Sequence, residues 1–446
     1  MKDSVTLYNE IKGAVDKISI IDTHEHLIQE PERIRQTPDI FETLLAHYLS
    51  SDLVASGMSL DALAELRNPQ HPLTDRWKIF KPFWERTNNT GYAYAIKIAV
   101  KGLYNIDELS DRTYQELAAR MEKRNQAGLY HWILKEKTGI DRIILDTSPE
   151  TPLTHVDYNL FAPVFRFRDF VMVKSRPELE HLEKWCGLPI HSLHDFVTAL
   201  NTEFNRVQNS IVGVKIGLAY MRTLRFDKVT FNEAEEVFNN IYRQETFERI
   251  VVENKHRYVP AGLSLRDSKP LQDFLVHTVI QLAAKRGLPI QIHTGLHEGN
   301  ENILVNSRPT LLVNLFREYK EARFDVFHGS YPYTGELAAL AKNFPNVYAD
   351  LCWLHIISPF KARQTLSEWL DTIPSNKILG FGGDYRFIEG VYGHAVIARE
   401  NIARVLTEKV EEGNYGKSEA VQLARKLLRE NAHDLFFPQQ AKHTSH

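Results

Sequence analysis

The stretch SIIDTHEHL, residues 19–27, ends a short apolar run with an acid and two histidines. Alternate side chains of an extended strand share a face, so Asp22, His24 and His26 are expected to point the same way. Two imidazoles on one face can grip a cation if other parts of the chain supply further ligands. Candidates recur in later apolar runs: Lys215 in IVGVKIG, His293 in PIQIHTG, His328 in FDVFHG and Asp384 in KILGFGGD. Neutral imidazoles and a carboxylate suit zinc first, with manganese, iron or cobalt as alternatives. Such groups recurring at the ends of apolar runs make a metal site the expectation.

Eight apolar or β-branched segments read as the strands that must position these groups: 18–22, 141–148, 161–167, 211–217, 289–295, 324–329, 346–352 and 377–384. Near-continuous apolar runs suit parallel strands covered on both faces. Amphipathic helical patterns lie between several of them, such as LQDFLVHTVIQLAAKRG and TGELAALAKNFP. This alternation predicts an α/β fold, a (β/α)8 TIM barrel, with the polar strand ends gathered on its C-terminal face. A doubly wound nucleotide-binding sheet would need a glycine turn after the first strand, and THEHLIQEP has none. The chain reads as one domain, 1–446, with a large aromatic-rich helical insertion at 27–138 after strand one, a smaller insertion at 168–210 and C-terminal helices at 393–437. Both insertions follow strand C-termini and would sit over the barrel mouth. Their aromatics either shape the site or form the insertion's own core or an oligomer contact.

Across 446 residues, 54 basic against 57 acidic side chains leave a net charge of -3, and no long charged run occurs. Nucleic acid and anionic membranes are poor partners for such a chain, and a small-molecule substrate is the expectation. Two cysteines, Cys186 and Cys352, offer neither a disulfide framework nor a cysteine metal cluster, which fits a reducing compartment. The N-terminus MKDSVTLYNEIKGAVDKI is charged where a secretory signal needs an apolar core, and no 18-residue apolar run occurs. A cytoplasmic protein is expected, with association into a homo-oligomer through the insertion and a disordered KHTSH tail.

The order His-x-His on strand one, histidines on strands five and six, and aspartate on strand eight resembles the amidohydrolase superfamily of metal-dependent barrel enzymes. The segments VGVKIGLAYMR, PIQIHTGLHEGNE, FHGSYPYTGELAALAKNFPNVYADL and KILGFGGD look like the amidohydrolase-related family that includes domains of fungal developmental and nodulin-like proteins. The segments APVFRFRDF and GHAVIARENIARVLTEKVEEG, and the insertion after strand one, are similar to uronate isomerases. The resemblance implies that His24, His26 and Asp384 bind metal, that His293 is a further ligand or near-ligand, and that His328 holds a second metal or orients substrate. Lys215 matches the position of a carbamylated bridging lysine in binuclear members. Within KIGLAYMR it reads instead as a cation facing substrate or a carboxylate, which favours one ion over two.

A divalent ion lowers the pKa of water and polarises a substrate oxygen, and Asp384 would take and return the proton, with His328 and Lys215 as further catalytic groups. Arg166, Tyr220, Arg222, Trp353 and Arg386 are the substrate-side candidates, joined by His355 and Tyr385, and their arginines favour a carboxylate-bearing molecule. The sequence lacks the tryptophan-pair segment of uronate isomerases after strand seven, where LCWLHIISPF stands, and an aromatic-histidine stretch in the first insertion is not evident. Metal-dependent hydrolysis of a small amide, ester or lactone is accordingly the first expectation. A uronate isomerase-like aldose–ketose isomerase is the alternative. A non-catalytic metal- or small-molecule-binding barrel and an interaction scaffold built on the insertion are readings of a different class.

Overall fold

A computed structural model describes residues 2–148, 153–244, 247–252, 255–260 and 262–438, so the KHTSH tail lies outside the described residues. Its strands are β1 Ile20–Glu25, β2 Ile140–Thr147, β3 Phe161–Arg166, β4 Gly213–Ile216, β5 Phe247–Val252, β6 Lys255–Pro260, β7 Ile290–His293, β8 Phe324–Phe327, β9 Val347–Asp350 and β10 Ile378–Leu379. Eight of them form one parallel sheet in the order β1-β2-β3-β4-β7-β8-β9-β10. The seam between its two ends is bridged by the segment after β10. Thr23 N donates to Phe381 O at 3.1 Å, Asp384 N to His24 O at 2.8 Å, and His26 N to Tyr385 O at 3.0 Å. The fold is the expected (β/α)8 barrel, and each of the eight expected segments overlaps one of its strands.

β10 is only two residues long because Gly380, Gly382 and Gly383 follow it, and glycine weakens a regular strand while permitting close backbone approach. All six residues of β1 are buried, so Asp22, Thr23, His24 and Glu25 place polar groups in the barrel interior. Such groups persist only where partners satisfy them. One feature was not expected from the sequence: an antiparallel hairpin, β5 with β6, stands between β4 and β7 in the chain and outside the barrel sheet. β5 ends at Val252 and β6 begins at Lys255, too close in the chain for the strand–helix alternation that marks barrel strands.

The connection from β1 to β2 is a set of helices including Glu30–Gln36, Ile40–Leu44, Leu49–Ala55, Leu73–Thr87, Gly91–Tyr104 and Tyr114–Arg124. Some of its aromatics make its own core: Trp77 stacks on Tyr114 at 4.6 Å, and Phe80 lies 5.6 Å from Trp84. Others reach the barrel mouth. The helix Gly91–Tyr104 touches the C-terminal helix Ile388–Glu411 backbone to backbone, since a Cβ at Gly393 would lie 2.1 Å from Ala95 O. A buried ion pair between Arg33 and Glu389, 2.7 Å, joins the same two parts, and the Tyr104 hydroxyl donates to that carboxylate at 3.0 Å. The insertion is thus part of the barrel wall. Among the described residues no helix is long and apolar enough to cross a membrane.

Candidate metal centre and active site

The strand ends converge on a cavity of about 340 Å³ at the C-terminal face of the barrel. His26, Asp146, Arg166, Lys215, His293 and Asp384 line it from β1, β2, β3, β4, β7 and the segment after β10. His24 lies beneath them, fully buried. Its Nε2 is 3.4 Å from His26 Nε2, 3.5 Å from Asp384 Oδ1 and 3.6 Å from Asp146 Oδ2. His26 Nε2 is 3.1 Å from Asp384 Oδ1, and His26 Nδ1 is 3.7 Å from Asp146 Oδ2. His24, His26 and Asp146 each present one ligand atom within 4.8 Å of the others.

The tautomer of His24 follows from its neighbour. Gln291 Nε2 donates to Thr23 O at 2.8 Å and to Asp325 Oδ2 at 3.0 Å, so its Oε1 must face His24 Nδ1, 3.0 Å away, as an acceptor. His24 Nδ1 therefore carries the hydrogen, and the Nε2 lone pair points into the cluster. Burial, reinforced by the Lys215 charge, pushes His24 well below the ordinary histidine range and keeps it neutral. Asp146 Oδ2 is buried without a hydrogen-bond donor, while its other oxygen accepts from Arg166 Nε at 3.0 Å. An orphaned buried carboxylate oxygen beside two imidazoles is costly unless a cation compensates it. These residues fit a divalent ion held by His24, His26 and Asp384, with Asp146 available beside them.

Asp384 is held on every side. Its φ is +62°, its N–H donates to His24 O, and its carbonyl accepts from His47 Nδ1 at 2.9 Å and from the Tyr48 hydroxyl. Burial would raise its carboxyl, but the hydrogen bond from His26 outweighs that and holds it well below the usual carboxylate range. Lys215 Nζ lies 3.2 Å from His24 Nε2 and 3.7 Å from the Phe327 ring centroid. Burial lowers it to about 8, opposed by the carboxylates of Asp146 and Asp384, so it is mostly a cation at neutral pH.

The remaining expected residues divide. His328 lies at the base of the site, with Nε2 3.9 Å from Asp384 Oδ2, and burial lowers it to about 3. His293 Nε2 donates to Leu296 O at 3.0 Å and its Nδ1 receives His328 Nε2 at 2.9 Å, so both its nitrogens are engaged and the structure does not bring it into the ligand cluster. Tyr220 lines the cavity, and its hydroxyl accepts from Glu298 N at 3.2 Å. Arg222, expected toward substrate, is instead a buried ion-pair partner of Asp273 and donates to Gln272 at 3.0 Å. Its place beyond the β4 end turns it into the packing of the helix Leu265–Lys285. Trp353 is buried behind the site, stacked on Tyr48 at 4.7 Å and edge-on to His328 at 5.2 Å. His355 is likewise buried, against Gly380 O. Arg386 is exposed next to the buried Tyr385.

Several site residues escaped the sequence reading. Asp146 closes the second strand, in RIILDTS, as Asp384 closes the eighth, so its position was the available signal. His47 and Tyr48 sit inside the insertion with no strand end to mark them. The helix Ile40–Leu44 sets them in place: Asp39 caps it, accepting from Phe41 N at 2.8 Å and Glu42 N at 3.0 Å, and also pairs with Arg76. Tyr48 then stacks on both Tyr92 and Trp353, whose own centroids are 6.3 Å apart, with Tyr385 edge-on at 5.0 Å. Arg168 and Glu298 complete the cavity, and burial raises the Glu298 carboxyl.

Residues 245–437 match the family model described as Amidohydrolase. Protein fluG of Emericella nidulans is 34% identical over 176 residues, covering 38% of this chain and only 20% of that protein. A uronate isomerase structure from Thermotoga maritima aligns with a TM-score of 0.76 at 18% identity, over 98% of this chain and 97% of that one. A glucuronate isomerase structure from Caulobacter crescentus aligns with a TM-score of 0.77 at 18% identity, over 98% and 95%. Residues 245–437 therefore carry amidohydrolase-superfamily sequence, within a barrel whose fold is shared along nearly its whole length with uronate isomerases.

Proposed function

We propose that the chain is a metal-dependent aldose–ketose isomerase acting on a small hydroxylated acid of the uronate class. The observation that carries this reading is the pair His47 and Tyr48, which the insertion brings against Asp384 in the cavity that Arg166, Arg168 and Lys215 also line. Three cationic side chains lining a cavity at the small end of the ligand range suit a carboxylate, with Arg166 offering bidentate geometry. The same cavity is lined by a carboxylate held ionised, Asp384, and a phenol that burial keeps protonated, Tyr48. Such a pair can take a proton from one carbon and supply one to the adjacent oxygen or carbon, as isomerisation requires. A single divalent ion held by His24, His26 and Asp384, zinc in the first instance, would polarise a substrate oxygen there. One ion is favoured over two because Lys215 remains a cation and His293 has both nitrogens engaged.

Support also comes from the likeness to the two isomerase structures, which extends over 98% of the chain and so includes the insertion. The match of residues 245–437 to the amidohydrolase family favours a second reading, metal-dependent hydrolysis of an amide, ester or lactone of a small acid, with Asp384 as the base. The unpaired cysteines Cys186 and Cys352 are in keeping with a reducing, cytoplasmic setting for either activity.

The test is to load the protein with zinc or manganese, confirm occupancy, and follow D-glucuronate and D-galacturonate by proton NMR in heavy water. Ketouronate, or exchange of the C2 proton, is the expected result. An unchanged spectrum from a metal-replete sample overturns the isomerase reading and sends the assay to lactones, amides and esters.

A further inference from the structure

Two carboxyl groups on β1 do not join the ligand cluster, yet both are fully buried beside it: Asp22 and Glu25. Their hydrogen bonds run to the backbone turn that carries Asp384. Asp22 Oδ1 accepts from Gly383 N at 3.1 Å, and from His24 N at 3.2 Å. Glu25 Oε2 accepts from Tyr385 N at 2.6 Å. The N–H groups on either side of Asp384 are therefore each taken by a carboxyl from β1.

Gly383 is shaped around this arrangement. A Cβ there would lie 1.8 Å from Glu25 Oε1, so the Glu25 carboxyl occupies the volume that any other residue's side chain would need. The other two sides of the turn are also fixed: the Gly383 carbonyl accepts from His394 Nδ1 at 3.2 Å, and Asp384 N donates to His24 O at 2.8 Å. The turn needs such holding, because Asp384 sits at φ +62°, a left-handed conformation that a non-glycine residue keeps only when its surroundings impose it. Two fully buried carboxyls in one strand, each with an oxygen that has no hydrogen-bond partner, are too costly to be incidental filling.

We propose that Glu25, assisted by Asp22, is a positioning residue that locks the strand-eight turn so that the Asp384 carboxylate faces His24 and His26. It acts through the Tyr385 N–H and the Gly383 slot and touches neither substrate nor metal. The inference rests on the metal-site reading of His24, His26 and Asp384, and does not depend on which reaction the site performs.

The experiment measures zinc affinity of the full chain by competition with a chromophoric chelator, for wild type, Glu25→Ala, Glu25→Gln and Gly383→Ala, with circular dichroism as the check on folding. Removing an outer-shell partner of a ligand costs about 10- to 100-fold in metal affinity, and Glu25→Ala is expected to fall in that range. Glu25→Gln keeps an oxygen for the Tyr385 N–H and the same volume in the Gly383 slot, so it should restore binding to near the wild-type value. Gly383→Ala should weaken binding in the wild-type background but add little on top of Glu25→Ala, since the carboxyl it collides with is then gone. If Glu25→Ala does not fold, Glu25→Asp, which withdraws the carboxylate by one methylene, carries the same expectation.

Wild-type affinity in a folded Glu25→Ala, equal losses in Ala and Gln, or fully additive losses with Gly383→Ala would each overturn the clamp. A wild-type chain that takes up no zinc would overturn the metal site itself and this proposal with it.

Discussion

Replacing Gln291 by leucine tests the logic by which the barrel interior prepares a metal ligand. The amide makes three hydrogen bonds in a dry environment: to His24 Nδ1, Thr23 O and Asp325 Oδ2. Leucine fills about the same space, so the cavity term is small, and the loss is one of polar satisfaction. An unsatisfied buried donor or acceptor costs about 1–3 kcal/mol. With two or three groups left unpaired, the fold should lose about 2–9 kcal/mol. A second effect concerns the site: without its acceptor, the His24 ring is free to rotate or change tautomer, and zinc should bind about 10- to 100-fold more weakly. Denaturant titration of the metal-free chain reads the first quantity, and chelator competition reads the second. Gln291→Glu separates them, since a carboxylate still accepts from His24 but cannot donate to Asp325 or Thr23; it should bind zinc while remaining destabilised. A Gln291→Leu protein with wild-type zinc affinity would refute the assignment of His24 Nε2 as the ligand atom.

Tyr48→Phe should lower the isomerase kcat by about 10²- to 10⁴-fold, the usual worth of a proton-transfer group, with little change in KM; a hydrolase using Asp384 alone would keep most of its turnover. Arg166→Ala should raise KM for an acidic substrate, whereas Arg222→Ala should leave KM alone and destabilise the fold by about 3 kcal/mol, the lower end for breaking a buried pair, because Lys269 still contacts Asp273. Steady-state kinetics and chemical denaturation distinguish the two arginines. His355 gives a pH test: buried, it receives Asn401 Nδ2 at 3.1 Å and donates to Gly380 O at 3.0 Å, and burial lowers it to about 4. Below an unfolded value of about 6.5 the unfolded chain binds a proton that the folded one refuses. Stability from this group is thus whole above pH 6.5 and lost as pH falls toward 4. His355→Gln, which can keep both hydrogen bonds, should flatten the stability profile across that window by about 1.4 kcal/mol per pH unit; equal slopes for mutant and wild type would refute it.

The barrel was legible because its signal is local. Parallel strands buried on both faces are short apolar runs, and a polar residue closing such a run marks a strand end at the catalytic face. His24, His26 and Asp384 were found this way, and Asp146 carries the same mark. What the sequence could not give were contacts made by chain closure. His47 and Tyr48 lie more than 330 residues from the Asp384 carbonyl they hold, and reach it only because the insertion packs on the helix Ile388–Glu411. Arg222 stands two residues from Tyr220, yet only the helix Leu265–Lys285 decides that it pairs with Asp273 while Tyr220 faces the cavity. Glu25, lodged between two candidate ligands, takes its meaning from Gly383 and Tyr385, which meet it when the last strand closes on the first. The sequence by itself determined residue chemistry and strand periodicity, which are properties of neighbours along the chain. Tertiary structure decided which charges are paired, which lone pairs are free and which glycine admits a carboxyl, because those depend on partners that only folding brings within hydrogen-bond distance.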